Sequence, residues 1–167
     1  IIEIGALKID SEGYEHTFQT FVAPLSPISD KIRKITGISN EMIIGAPLLK
    51  PVLTQLIDFI GDATLVAHNA DFDIPWLLTN SIRHHIPLKT NKSICTLKWA
   101  RQQKESSCSL GALTKKYGIA HSNAHRALAD SVATKEIFFI LDSKNIVPRP
   151  IKPISDFNTL SENLKDR

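Results

Sequence analysis

The chain has 167 residues, of which 43% are hydrophobic and 22% are charged, and its formal net charge is +3. This composition is typical of a globular protein and excludes disordered and fibrous chains, and no apolar run reaches the roughly 20 residues of a membrane-spanning helix. The small positive charge permits a nucleic-acid partner without indicating one. Cys95 and Cys108 have no metal-binding spacing, so we expect reduced thiols in a cytoplasmic protein with no membrane partner.

The first part of the chain predicts a β-hairpin followed by a helix. Residues 1–9 and 14–22 favour strands and flank a turn cluster at residues 10–13, so we expect an antiparallel pair. The stretch 32–42 is expected to be irregular, with at most one short helical turn. A helix then begins at Ala46-Pro47 and ends at Gly61. Its buried face is predicted from helical spacing: Leu49, Val52, Leu53, Leu56, Ile57 and Ile60.

The second part alternates short strands with helices, which is typical of an α/β layered domain. The predicted elements are a strand over 64–67, a helix over 73–84, a strand over 93–95, a helix ending near Arg101, a helix between an N-cap at Ser109 and a stop at Gly118, and a long helix from near His125 to Leu141. Three prolines then lie within 148–153. We therefore predict one domain over 1–142 and a proline-rich polar tail over 143–167.

Asp73 stands where a strand passes through a tight turn into a helix. A carboxylate there lies at the carboxyl end of the strand and at the positive end of the helix dipole. Taken alone, Asp73 is more readily explained as a helix N-cap than as a metal ligand. Asp71 is the weaker candidate, because Phe72 separates the two carboxylates and is expected to turn inward.

The segment from His125 to Asp130 is the second candidate. Five residues of straight helix turn two side chains roughly 140° apart, so the pair can share a site only if His125 lies in the loop that enters the helix. The small residues Ala127, Ala133 and Thr134 surround Asp130 along the helix and allow close packing against a sheet. Taken singly, a helical aspartate or a histidine more often has no chemical role.

Together these segments resemble the DnaQ-like (DEDDh) family of 3′–5′ exonucleases, and within it the proofreading subunits of bacterial DNA polymerase III. His68-Asn69-Ala70 followed by Phe72-Asp73 matches the second exonuclease motif of that family, and His125-x-Ala127-x-x-Asp130 matches its third. The resemblance covers about residues 1–142. It includes Ile1-Ile2-Glu3-Ile4-Gly5-Ala6, Ile35-Thr36-Gly37-Ile38, Thr96-Leu97 with Ala100-Arg101, and Ser109-Leu110 through Gly118-Ile119.

The resemblance implies a ribonuclease H-like fold, a three-layer α/β/α arrangement around a mixed sheet. It also implies two Mg²⁺ or Mn²⁺ ions, held by four acids at the scissile phosphate of a nucleic-acid 3′ end. Asp73 and Asp130 would be the third and fourth acids, and His125 the general base, since an imidazole exchanges protons near neutral pH. His68, Asn69 and Phe72 are candidate substrate-binding residues. The expected reaction releases nucleoside 5′-monophosphates from single-stranded or frayed DNA, which is favoured over RNA.

The chain departs from the family at its first motif, Asp-x-Glu. In the family this motif precedes the segment that corresponds to residues 1–5, and it supplies two acids and a central strand between strands 1–9 and 64–67. Glu3 is no substitute, because the family has that glutamate as well. We therefore expect a sheet without its first, central strand, an impaired site, and a natural polypeptide that begins upstream of Ile1.

Two other functions stay open on the same scaffold. A catalytically inactive module would bind nucleic acid or a polymerase. Separately from this alternative, the resemblance implies that residues 146–167 would dock on a polymerase or another protein, as the tails of proofreading subunits do in the family. A metal-dependent phosphatase or small-nucleotide hydrolase is less favoured. The presence of Asp73, His125 and Asp130 together favours the exonuclease.

Overall fold

The computed structural model describes residues 1–89, 91–121 and 123–144. In chain order the elements are β1 (Glu3–Ile9), β2 (Glu15–Phe21), α1 (Asp30–Thr36), α2 (Leu49–Ile60), β3 (Leu65–Ala67), α3 (Ala70–Arg83), β4 (Ser93–Cys95), α4 (Thr96–Gln102), α5 (Leu110–Tyr117) and α6 (Ala127–Asp142). A 3-10 turn at Glu41–Ile43 separates α1 from α2. No helix in these ranges is long and apolar enough to cross a membrane.

The strands form two separate pairs. β1 and β2 are antiparallel, with Glu3 opposite Phe21, and β3 and β4 are parallel, with Leu65 opposite Ser93. Within the described ranges no backbone pairing joins β1 to β3. A mixed sheet divided at this place agrees with the expected lack of a central strand between them.

Helices cover both faces of the β1–β2 pair. Ile4 belongs to a buried cluster with α2 and α3, whereas the next residue, Gly5, lies against the backbone of α6 at Ala127 and Leu128. Successive strand residues point to opposite faces, so the two contacts define two helical layers around the sheet. A second cluster joins α4, α5 and α6 through Trp99, Ala100, Leu113, Ile137 and Leu141. The three-layer α/β/α prediction is confirmed.

The predictions that rest on local sequence are mostly confirmed. The hairpin and β4 are found where they are expected. Ser109 caps α5, its Oγ accepting the N–H of Ala112 at 3.3 Å, and Gly118 ends that helix with a φ of 66°. The predicted face of α2 is buried apart from Leu49, which is partly buried.

Four helices depart from the predictions. The stretch 32–42 is less irregular than expected, because α1 extends to Thr36, with Ser29 as its cap and Gly37 ending it in the left-handed conformation. α2 begins at Leu49, after Pro47. α3 begins at Ala70, because Asn69 adopts a left-handed conformation (φ 75°) and its carbonyl accepts the N–H of Phe72 at 2.9 Å. α6 begins only at Ala127, which leaves His125 outside the helix.

Candidate active site

Asp73 lies inside the first turn of α3, close to the end of β3. The helix is already formed at Ala70, with Asn69 as the residue that flanks it. The interpretation of Asp73 as the N-cap is therefore wrong. Asn69 can flank the helix with a positive φ because asparagine tolerates the left-handed conformation better than most residues.

The two carboxylates of this turn differ in their partners. Asp71 Oδ1 accepts a hydrogen bond from Lys98 Nζ at 2.6 Å, whereas Asp73 has no ion pair with any residue that the structure describes. Neighbouring protein atoms displace water from the Asp73 carboxyl and raise its pKa, against the weaker opposing effect of its own backbone N–H. The residue as a whole is exposed. A partly desolvated carboxylate without a cation is a group that a bound metal ion would stabilise.

His125 and Asp130 meet where the chain enters α6. His125 lies in the loop with a φ of 67°, and its backbone N–H donates to Asp130 Oδ1 at 3.2 Å. This is the loop position that the sequence spacing requires for a shared site. The His125 side chain is exposed, and its ring makes no hydrogen bond within the described part of the chain. The imidazole is therefore available to a ligand.

His121 is a residue of this site that the sequence analysis missed. Its Nε2 lies 2.7 Å from the same Asp130 Oδ1, and its side chain is only 8% exposed. No local pattern marks this histidine, because it stands in a polar loop nine residues before Asp130. Only the fold of the loop brings the ring onto the carboxylate.

Glu3 anchors the loop to β1. Its carboxylate accepts bonds from the guanidinium of Arg126, at 2.9 Å for the closest pair, and from the backbone N–H of Ala127 at 3.0 Å. Burial alone would raise the pKa of Glu3, but the bonds from Arg126, Ala127 and Gln19 outweigh it and hold that pKa below its usual value. Glu3 therefore fixes the start of α6, which carries Asp130. Both of its carboxylate oxygens already accept hydrogen bonds, so they are not available to a metal ion.

The three candidate substrate-binding residues have different surroundings. His68 Nε2 lies 2.9 Å from the carbonyl oxygen of Cys108, and Nδ1 lies 3.0 Å from Thr96 Oγ1, so both ring nitrogens have partners in the protein. Asn69 is exposed. Phe72 is 63% exposed, so the expectation that it turns inward is wrong. An exposed ring in this position is suited to stacking on a base.

The donors present suit a hard cation but do not form a complete cluster. Asp73 and Asp130 lie on α3 and α6, and both helices pack against β3. In residues 1–89, 91–121 and 123–144 there is no group of three or more histidine, cysteine, aspartate or glutamate side chains that could hold a metal ion. Mg²⁺ is often bound by one or two carboxylates, with water and substrate phosphate completing its shell. Two aspartates therefore fit one such ion better than two.

A family profile described as "Exonuclease", of the RNase T type, matches residues 1–138. The chain belongs to this exonuclease family. Among relatives, it is 32% identical over 140 residues to the DNA polymerase III subunit epsilon of Aquifex aeolicus, covering 83% of this chain and 69% of that protein. It is 36% identical over 162 residues to a PolC-type DNA polymerase III of Caldanaerobacter subterraneus, covering 96% of this chain. The resemblance to DnaQ-like exonucleases is confirmed.

Solved structures agree on the ribonuclease H-like fold. Exonuclease X in complex with 5′ overhanging duplex DNA superimposes with a TM-score of 0.68 at 25% identity, over 88% of this chain and 86% of that one. A full-length 3′-exonuclease gives a TM-score of 0.74 at 19% identity, over 94% of this chain and 58% of that one. The nuclease domain of 3′hExo, a DEDDh family member bound to rAMP, gives a TM-score of 0.68 at 17% identity. The match covers 92% of this chain and 98% of that one.

The chain spans only a small part of its longer relatives. It covers 11% of the Caldanaerobacter polymerase and 22% of a putative bifunctional exonuclease/endonuclease of Mycobacterium tuberculosis, to which it is 36% identical. The family membership therefore describes a nuclease domain. The activities of those larger proteins do not follow from it.

Proposed function

We propose that this domain is a 3′–5′ exonuclease that releases nucleoside 5′-monophosphates from single-stranded or frayed DNA. The observation that carries the proposal is the loop before α6, in which the exposed His125 and the carboxylate of Asp130 are joined by a backbone hydrogen bond. Asp73 stands on α3, the other helix that packs against the short strand β3. A proton acceptor and two carboxylates, on two helices that contact the same strand, suit hydrolysis of a phosphodiester.

Each of these side chains has a distinct role in the proposal. An unpartnered nitrogen of the His125 ring accepts the proton of the attacking water. Asp73 and Asp130 hold Mg²⁺ or Mn²⁺, which supplies positive charge to the phosphate when it is bound. His121 and the His125 backbone N–H orient the Asp130 carboxylate. Glu3 and Arg126 keep the loop in place, and the exposed Phe72 stacks on a base near the 3′ end.

The direct test is hydrolysis by the full-length protein as its gene encodes it. A single-stranded oligonucleotide labelled near its 3′ end and supplied with Mg²⁺ or Mn²⁺ should lose nucleoside 5′-monophosphates. Asp73→Ala and Asp130→Ala should abolish this release. His125→Ala should slow it by about 10²- to 10⁴-fold, the usual contribution of a general base.

Asp71→Ala is the matched control for Asp73. It removes a carboxylate from the same helical turn, but one that is exposed and paired with Lys98, so its loss should cost little. Full activity in Asp73→Ala or Asp130→Ala would show that the roles are misassigned. Preference for an RNA strand over a DNA strand of the same sequence would correct the substrate.

A catalytically inactive binding module is the second candidate. Its support is the contact of His121 with Asp130 Oδ1, which occupies a donor oxygen, together with the lack of a third ligand in the described ranges. In that case the full-length protein would bind oligonucleotide or a polymerase without releasing nucleotides. Calorimetric titration with Mg²⁺ or Mn²⁺ separates the two candidates, because the inactive module would give no heat of binding that depends on Asp73 and Asp130.

A further inference from the structure

An open cavity of about 610 Å³ lies beside the first turn of α3. His68 and Asn69 form one wall and α4 forms another through Arg101. The segment before α5 closes it with Glu105, Ser106 and Ser109. The proposed roles of the aspartates and His125 do not use this cavity.

The charge presented by the cavity is positive. Arg101 is exposed and has no ion pair among the described residues, and it lies close enough to His68 to help lower the pKa of that histidine, although burial is the larger cause. Glu105 also lines the cavity, but its side chain is only 4% exposed and its carboxylate is bound by Lys116 and Lys144. The negative charge of Glu105 is thus balanced by the two lysines, whereas Arg101 is exposed to solvent.

Hydroxyl donors accompany the guanidinium. The Ser109 oxygen accepts the N–H of Ala112, which leaves its O–H proton free to donate. Ser106 is exposed at the same cavity. A guanidinium with nearby hydroxyls is a donor set that matches the oxygens of a phosphodiester.

The position of the cavity relates it to the proposed hydrolytic site. Asn69, which lines the cavity, is the residue that flanks the start of α3, and Asp73 lies in the first turn of that helix. A nucleic-acid strand with its terminal phosphodiester at Asp73 would therefore have adjoining nucleotides within reach of the cavity.

We propose that this cavity binds a backbone phosphate of the nucleic-acid strand on the 5′ side of the scissile bond, through Arg101 with the hydroxyls of Ser106 and Ser109. The proposal rests on the proposed function, since it takes the strand's 3′ end to lie at Asp73. It assigns Arg101 to substrate binding and gives it no part in bond cleavage.

The test measures binding without hydrolysis. The probe is a fluorescein-labelled single-stranded DNA oligonucleotide, titrated without divalent ions and followed by anisotropy. Arg101→Gln should weaken binding by about tenfold, the lower range for a hydrogen bond to a charged group. It should also reduce the slope of log K against log salt by about 0.7, the value for one phosphate contact on a single strand.

Arg83→Gln is the matched control, because it makes the same change of charge at an exposed position at the opposite end of α3. Equal weakening in the two variants, or no weakening in Arg101→Gln, would overturn the proposal. So would equal affinity for a free nucleoside monophosphate and for the oligonucleotide, since the cavity would then not recognise a strand.

An oligonucleotide with one methylphosphonate linkage should bind the native protein and Arg101→Gln equally well when the neutral linkage occupies the cavity.

The readout separates this proposal from the proposed function. If the full-length protein binds DNA through Arg101 but releases no nucleotide, the phosphate-binding role of the cavity is supported and the exonuclease activity is contradicted. If it hydrolyses DNA with the same KM in Arg101→Gln as in the native form, only the phosphate-binding role is overturned. Thermal unfolding of both variants shows that they are folded.

Discussion

Glu105 is held by side chains that follow it in the chain. Lys116 and Tyr117 of α5 and Lys144 beyond α6 all bond to its carboxylate, and together they lower its pKa from 4.5 to about 2. A carboxyl group with a lowered pKa in the folded state stabilises the protein above its unfolded pKa and loses that contribution as the pH falls towards the folded value. Glu105 therefore links the loop after α4 to α5 and to the end of α6, and its contribution to stability is complete above about pH 4.5 and is lost as the pH falls towards 2.

Glu105→Gln should lower the free energy of unfolding by about 2 kcal/mol near neutral pH, because it replaces charge-assisted bonds with weaker ones. The difference from the native protein should shrink as the pH falls from 4.5 towards 2, where the native carboxyl becomes protonated. Urea unfolding of both proteins between about pH 7 and pH 2 measures this difference in unfolding free energy. Glu12→Gln is the control, since the Glu12 carboxylate lies in the exposed β1–β2 turn and bonds to no described residue. A constant difference at all pH values would contradict the charge-based explanation.

At the scale of elements, α6 crosses β1 at very close range. A Cβ atom placed on Gly5 would overlap the backbone of Ala127 and Leu128, and Ser131 Oγ donates to the Gly5 carbonyl at 3.0 Å. Backbone cannot move aside as a flexible side chain can. Only glycine allows the helix that carries Asp130 to lie this near the sheet.

Gly5→Ala should therefore lower the free energy of unfolding by about 3 kcal/mol, at the upper end of the cost of overpacking. Gly111→Ala is the control, because nothing lies within 4 Å of a Cβ at that position of α5. That change should leave stability unchanged or raise it by up to about 1 kcal/mol, since alanine favours a helix more than glycine does. Denaturant unfolding of the three proteins checks both values, and equal stability of Gly5→Ala and the native form would contradict the contact.

At the scale of the whole molecule, the nuclease domain has its C-terminal end near α6. The family profile matches residues 1–138 and α6 ends at Asp142, whereas the predicted tail lies outside the described residues from 145 onwards. Lys144 still bonds to Glu105 and to Tyr117. Lys144 therefore contributes contacts to the nuclease domain, and the boundary at residue 142 stays a prediction.

Removal of residues 145–167 from the full-length protein should leave both the unfolding free energy and the rate of nucleotide release unchanged. Removal of Lys144 as well should lower the unfolding free energy by about 1 kcal/mol, because Glu105 loses one of its cations. If the tail docks on a polymerase, both deletions should lose co-purification with that partner. A loss of nucleotide release in the shorter deletion would show that the tail belongs to the nuclease itself.

Much of this architecture could be predicted because its causes are local. Helical spacing of apolar residues located α2, and a serine cap with a terminal glycine located α5. The same kind of cap at Ser29 and Gly37 was present for α1 and was overlooked. The start of α3 could not be read in this way, because Asn69 adopts a left-handed backbone where the usual rule expects a capping side chain.

The candidate site divides in the same way. The order and spacing of Asp73, His125 and Asp130 are properties of the linear chain, and they are enough to indicate the exonuclease family. Other features depend on how the chain folds. These are the contact of His121 with Asp130 within one loop, the ion pair of Glu3 with Arg126, and the cavity at Arg101. Amino-acid order specified which groups are available and which helices carry them. Their partners and their exposure to water were decided only by packing, because a contact between two elements depends on how both fold.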